Sequence, residues 1–151
     1  MVGGLIALAV VLAASCAAGF ALRRRQGRFR AEPAGTGSAP APDGVLSAAE
    51  LGSALGARAT LVQFSTKVCA YCGPTRELLT EVAAGRDGVA FVEVDAAARM
   101  DLTRRLHVLS TPTVLVLDAA GGIASRASGP VRRADLLAVV GQVLPPAEEA
   151  S

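Results

Sequence analysis

Residues Leu61 to Leu79, LVQFSTKVCAYCGPTRELL, constrain this chain more than any other stretch. An apolar run, Leu61-Val62-Gln63-Phe64, leads into Cys69-Ala70-Tyr71-Cys72, and a helix-like pattern follows. A strand that delivers a Cys-x-x-Cys pair to the start of a helix is the arrangement that thiol–disulfide exchange requires. The helix N-terminus carries partial positive charge and unpaired N–H groups, which favour a thiolate over a thiol. Two cysteines on a first helical turn are near enough to close a small disulfide, so one can attack a substrate disulfide and the other can resolve it. The same two residues also fit a pair of inert buried cysteines, or half of a zinc site. A structural zinc site takes four Cys or His ligands, and the remaining candidates are His107 and Cys16.

The pattern around this stretch alternates strand and helix. Ser47-Ala48-Ala49-Glu50 fits a capping box ahead of a short helix with Leu51 and Leu55 on its apolar face. Ala59–Ser65 reads as a buried strand, and a helix starting at Cys69 or Tyr71 runs to Ala84, where Gly85 ends it. Val89–Val94 reads as a strand, Ala97–Leu106 as a helix with Met100, Leu102 and Leu106 in the core, and Thr113–Asp118 as a strand. Gly121-Gly122 turns into a fourth strand at Ile123–Ala127, and Val131–Leu144 closes the fold, with Leu136, Leu137, Val140 and Leu144 on one face. Pro145-Pro146 stop that helix. This order predicts a mixed α/β sheet covered on both faces. Aromatic residues make up 3% of the chain, so its core must rest on Leu, Val and Ala.

Taken together these segments resemble the thioredoxin superfamily. The strand with its Phe five residues before the first cysteine sets the register: Phe64 to Cys69. Val89–Asp95 is similar to the family's next strand with its terminal Asp, and Ser110-Thr111-Pro112-Thr113 to the loop whose proline is cis and faces the cysteines. Gly129 and the helix after it are similar to the last strand–helix junction, so that the likeness covers roughly residues 45–144. The resemblance implies a central mixed sheet flanked by helices. It also implies that Cys69 is the exposed nucleophile, Cys72 the more buried resolving thiol, and Thr111, Pro112, Val68 and Tyr71 the substrate-binding surface. In such a site the residue before the cis-proline offers backbone groups to an extended substrate strand. The chemistry needs neither an organic cofactor nor a metal.

This chain departs from the family pattern in its immediate surroundings. Val68 stands where thioredoxins have Trp, and Ala70-Tyr71 stand between the cysteines in place of Gly-Pro. Gln63 occupies the position of a buried acid that assists the resolving thiol, and Gln takes no proton at neutral pH. Gly73-Pro74 follow Cys72 and predict a helix that begins late or is kinked. Lys67 and Arg76 flank the pair, as supports for a thiolate or as plain surface charge, and His107 reads as a surface residue at a helix end.

The N-terminal part of the chain has a different character. Residues 2–22, VGGLIALAVVLAASCAAGFAL, carry no charge. At about 1.5 Å per residue this run is roughly 31 Å long, close to the ~30 Å hydrocarbon core of a bilayer. No Lys or Arg precedes it, and Arg23-Arg24-Arg25 follow it, the reverse of a cleaved signal peptide. The positive-inside rule places the rest of the chain in the cytoplasm, as a single-pass cell-membrane protein. Leu12–Cys16 loosely matches a lipoprotein cleavage site, which would put the domain on the other side; a small apolar Cys16 within the span is the simpler reading. Residues 23–44 read as a basic juxtamembrane segment and a disordered Pro/Ala/Gly/Ser linker, and residues 145–151 as a disordered tail. All 13 acidic residues lie beyond Arg30, so the domain itself is mildly acidic and has no nucleic-acid footprint. Of the 15 basic residues Lys67 is the one lysine, an association with GC-rich bacterial genomes.

The sequence therefore points to a membrane-tethered thioredoxin-like oxidoreductase that acts on protein disulfides and is served by an electron donor such as a thioredoxin-reductase-like system. Two alternatives share the fold: an extracytoplasmic thiol–disulfide protein of the cytochrome-maturation type, and a non-catalytic binding module that uses the groove beside Pro112.

Overall fold

The computed structural model describes residues 2–25, 27–31 and 44–144. The elements run α1 (Val2–Arg25), β1 (Arg30–Ala31), α2 (Ala48–Leu51), β2 (Ala59–Ser65), α3 (Cys72–Ala84), β3 (Val89–Asp95), α4 (Met100–Arg105), β4 (Thr113–Asp118), β5 (Ile123–Ser128) and α5 (Arg133–Val143). The expected linker at 32–43 and tail at 145–151 lie outside the described residues.

Four strands form the mixed α/β sheet that the alternating pattern predicts, and β1 extends it at one edge, in the order β1-β5-β4-β2-β3. Strands β2 and β3 are parallel, whereas β4 is antiparallel to both β2 and β5. Every residue of β2 is buried, because strands flank it on both sides and helices cover both faces. The two-residue period of its side chains then divides the core in two. Val62 and Phe64 point to one face with Leu115, Leu117, Leu102 and Leu106, and Leu61 points to the other with Leu79, Val82, Val114, Leu136 and Val140. Helices α2 and α4 cover the first face, and α3 and α5 the second.

Three expectations are corrected. Residues 27–31 fall within the segment read as juxtamembrane linker, yet they are docked: Arg30 and Ala31 pair with Arg126 and Ser125 of β5, and Phe29 packs on the α3/α5 face. Charge and small residues hid this edge strand, because two residues carry no periodicity. Helix α4 begins at Met100 and not at Ala97, because the Asp95 carboxylate accepts the N–H groups of Ala97 and Ala98 and holds them in a turn. Met100 is consequently exposed at 43% and is no core residue.

Helix α1 is helical in its backbone over Val2–Arg25. Among the described residues no helix is long and apolar enough to cross a membrane. Side chains at 2–5, 7, 9 and 22–25 of α1 fall outside those residues, so the expected span at 2–22 is not established by them.

The capping box at α2 is complete. Ser47 N–H and Oγ both donate to Glu50 Oε2, at 2.9 and 2.8 Å, and Glu50 N–H donates to Ser47 Oγ. Arg105 donates to the other carboxylate oxygen at 2.5 Å, which ties α2 to α4. The Ser47 backbone N–H, then its hydroxyl, then Arg105 hold the Glu50 carboxyl down at about 2, against an ordinary 4.5. A carboxylate lowered by folding stabilises the fold fully above pH 4.5, and that contribution is lost as pH falls toward 2. With solvent screening at this half-buried site the loss is about 1 kcal/mol. Glu50→Gln should remove that share of the pH dependence, so urea unfolding of the variant and the parent should differ by about 1 kcal/mol at pH 6 and draw together as pH falls toward 2. A constant difference across that range would contradict this assignment.

Candidate functional site

The site lies where β2 and β4 end side by side. Phe64 pairs with Thr113, so the residues after β2 and those before β4 leave the sheet at the same level. After Ser65 the chain turns through Thr66–Tyr71, with Cys69 N–H donating to Thr66 O, and enters α3 at Cys72. Cys69 therefore stands just ahead of the helix, and Cys72 is its first residue. This places Pro74 in the first turn, where the missing N–H costs nothing, and accounts for the late start that Gly73-Pro74 predict.

Cys69 and Cys72 are joined by a disulfide, with Cα atoms 5.4 Å apart. Cys69 is half-buried and Cys72 is 2% exposed. The first turn offers fewer free donors than a plain helix start. Cys72 N–H is used by Cys69 O, Thr75 N–H by Tyr71 O, and Pro74 has none. The helix dipole still favours a thiolate at this end.

The Thr111–Pro112 peptide bond is cis, as the resemblance implies. Pro112 is buried, and Gly129 N–H donates to its carbonyl at 2.7 Å. Thr66 Oγ1 and Thr111 Oγ1 share a hydrogen bond of 3.2 Å, which links the loop carrying the cysteines to the loop carrying the proline. Thr113 Oγ1 donates to Ser110 O and closes the latter loop on itself. Of the residues expected to meet a substrate, Val68 is 94% and Tyr71 61% exposed, while Thr111 is half-buried.

Two further apolar side chains lie beside the cis-proline loop: Leu109, which the sequence did not single out, and Met100, expected in the core. Leu109 is 93% exposed, and with Met100 it lines an open groove of about 320 Å³ beside Thr66, Ser110 and Thr111. The signal was present as an apolar Val108-Leu109 immediately before Ser110-Thr111-Pro112, but an isolated apolar pair reads equally as core.

Gln63 lies beneath the pair, fully buried, on the α3 side of β2. Its Nε2 donates to Cys72 O at 2.9 Å, and among the described residues none donates to its Oε1. A buried amide oxygen near Cys72 can receive a thiol proton as a hydrogen bond but cannot remove it. Arg76 is committed elsewhere, since it forms an ion pair with Glu93 at 2.7 Å. Burial pushes the Glu93 carboxyl up, but Arg76 and the Ser65 hydroxyl bring it below its ordinary value. His107 is exposed at the end of α4 in the left-handed region, with φ 49°. Cys16 is an exposed free thiol on α1.

If Gln63 withholds a proton acceptor from the resolving thiol, Gln63→Asp should supply one. The pH dependence of Cys69 alkylation in the reduced protein should then gain a second titration step that the parent lacks. Superimposable profiles would remove Gln63 from any account of the thiol chemistry.

Comparison with known proteins supports this geometry. The Thioredoxin family model matches residues 45–142. Among solved structures, chloroplastic thioredoxin z is 26% identical, with a TM-score of 0.52 over 58% of this chain and 79% of that one. Thioredoxin-2 of the malaria parasite is 21% identical, with a TM-score of 0.52 over 56% of this chain and 82% of its own. Fasciola hepatica thioredoxin is also 21% identical, with a TM-score of 0.51 over 58% and 82%. The last two likenesses speak to the fold alone. A comparison with curated proteins gives no match.

Proposed function

Because the chain belongs to the thioredoxin family, we propose that it is a membrane-tethered thiol–disulfide oxidoreductase that acts on protein disulfides through Cys69 and Cys72. The observation that carries this reading is the asymmetry of the pair. Cys69 is half-buried between the exposed Val68 and Tyr71 of the same turn, whereas Cys72 is shielded at 2% exposure. Only the outer sulfur is open to attack by, or on, a bulky partner.

In the reducing direction the Cys69 thiolate attacks one sulfur of a substrate disulfide. An S–S bond forms between Cys69 and that sulfur, and the other substrate sulfur leaves as a thiolate that takes a proton from water. Cys72 gives up its thiol proton, and its sulfur attacks Cys69 Sγ. The Cys69–Cys72 bond forms, and the second substrate sulfur leaves and is protonated. Two electrons have passed to the substrate, and an external dithiol donor of the thioredoxin-reductase-like class returns the pair to its reduced state. The substrate backbone lies in the groove beside Thr111 and Pro112, where Thr111 offers main-chain groups and Leu109 and Tyr71 offer apolar contact.

Residues 2–22 serve as a single-pass anchor, with Arg23-Arg24-Arg25 and the domain on the cytoplasmic side. The uncharged run, its helical backbone and the exposed Ile6, Val10, Val11, Leu12 and Phe20 support the anchor, and the Arg cluster supports the orientation. A tether raises the effective concentration of the domain at the membrane.

Cys72→Ser should accumulate a mixed disulfide between Cys69 and a protein substrate, and Cys69→Ser should abolish turnover of that substrate by at least about a hundredfold. Leu109→Glu should raise the KM for a protein disulfide about tenfold or less while leaving reduction of the pair by dithiothreitol unchanged. If Cys69→Ser turned over the substrate normally, the oxidoreductase reading would fail and a binding role would replace it. Alkaline carbonate should leave the full chain in the membrane pellet, and a reporter fused after Ser151 should respond as cytoplasmic. Extraction into the supernatant, or an external response, would overturn anchor or orientation respectively.

A further inference from the structure

The docked segment at 27–31 adds something that a flexible tether would not. Gly27 is buried level with the end of the sheet that carries the site, and its N–H donates to Ser128 O at 2.7 Å. Ser128 pairs with Thr113, the residue after Pro112, and Thr113 pairs with Phe64. Along the strand order β1-β5-β4-β2, Gly27 is thus three strand spacings from Phe64, or roughly 14 Å. Helix α1 ends at Arg25, two residues before Gly27. Two Cα–Cα steps span at most about 8 Å, so the end of α1 cannot stray far from this edge whatever its direction. The opposite end of the sheet, at Ala59 and Asp118, is offset from this level by roughly 17 Å along the strands.

The docking itself is specific. Gly27 has φ 77°, and a Cβ there would come within 2.0 Å of Pro130 O, so no other residue fits unchanged. Phe29 packs against the α3/α5 core, Arg30 and Ala31 pair with β5, and Ser125 Oγ donates to Arg30 O at 3.0 Å. Arg28 and Arg30 are exposed, and they follow Arg23-Arg24-Arg25 in a basic sequence suited to anionic headgroups.

Resting on the membrane-anchored reading above, we propose that β1 is a stay that holds the catalytic end of the domain toward the bilayer. The preferred substrates are then disulfides of integral membrane proteins that lie close to the membrane surface. Disulfides of soluble proteins and of distant extramembrane domains are disfavoured. The exposed Val68, Tyr71 and Leu109 crown the same end, where such a partner would meet them. The reaction is the exchange described above, with two electrons leaving the pre-reduced Cys69–Cys72 pair and two thiols forming on the partner.

The test uses the full chain, reduced with dithiothreitol, desalted and reconstituted in vesicles of phosphatidylcholine and phosphatidylglycerol. The probe is a single-span peptide with an internal disulfide placed either about two or about thirty residues beyond its apolar span, and single-turnover rates are compared. The parent chain should reduce the near disulfide about tenfold faster than the far one. Inserting about thirty Gly/Ser residues after Arg25 should bring the ratio close to one, and Gly27→Val, which displaces β1, should lower it too. Both variants should reduce a soluble protein disulfide in detergent at the parent rate, which separates loss of the stay from loss of the fold. A chain that floats with the vesicles but shows no near preference, or a preference untouched by the insertion, overturns this proposal alone. A chain that fails to float overturns the anchor and this inference together.

Discussion

The pairing of β2 with β4 is the constraint on which the rest of the structure depends. It sets Phe64 opposite Thr113, so the turn bearing Cys69 and the loop bearing Pro112 leave the sheet together. The Thr66–Thr111 hydrogen bond fastens the two loops, and the Gly129–Pro112 bond fastens the second loop to the end of β5. A slip of one residue would turn Phe64 out of one core and Leu61 out of the other. The burial of every β2 side chain therefore fixes the site as firmly as it fixes the fold.

Within that frame the chain builds its sulfur site from unusual parts. Gln63 holds the Cys72 carbonyl by a hydrogen bond, at a position where a carboxylate could carry a proton and an amide cannot. Pro74 and the Cys72–Cys69 backbone bond occupy most of the donors that a helix start presents, so the dipole is left to favour the thiolate. Arg76 gives its charge to Glu93 and not to the sulfurs. These substitutions bear on the rate and driving force of exchange while leaving its geometry intact.

The strands were the most legible part of the sequence. β2 and β4 fall on the residues that their apolar runs predict, because a strand buried on both faces is mostly apolar, with Gln63 as an exception. The Cys-x-x-Cys, its distance from Phe64 and the Thr-Pro-Thr were equally plain, since each is a local pattern. What escaped was tertiary. The Asp95 side chain shortens α4, and with it exposes Met100. Leu109 went unremarked, because a single apolar residue ahead of the proline loop carries no pattern to show that it is exposed. The edge strand at Arg30 rests on two backbone pairings and the packing of Phe29, none of which leaves a periodic trace.

The central claim is that Cys69 and Cys72 form a reversible two-electron couple. The most direct measurement is a redox equilibrium of the full chain in detergent across a dithiothreitol gradient, with thiols trapped by alkylation and counted by mass. A single two-electron transition confined to Cys69 and Cys72, with Cys16 alkylated throughout, is the predicted result. Failure of any disulfide to form between Cys69 and Cys72 at any poise would contradict the claim and leave the groove beside Pro112 as a binding surface without exchange chemistry.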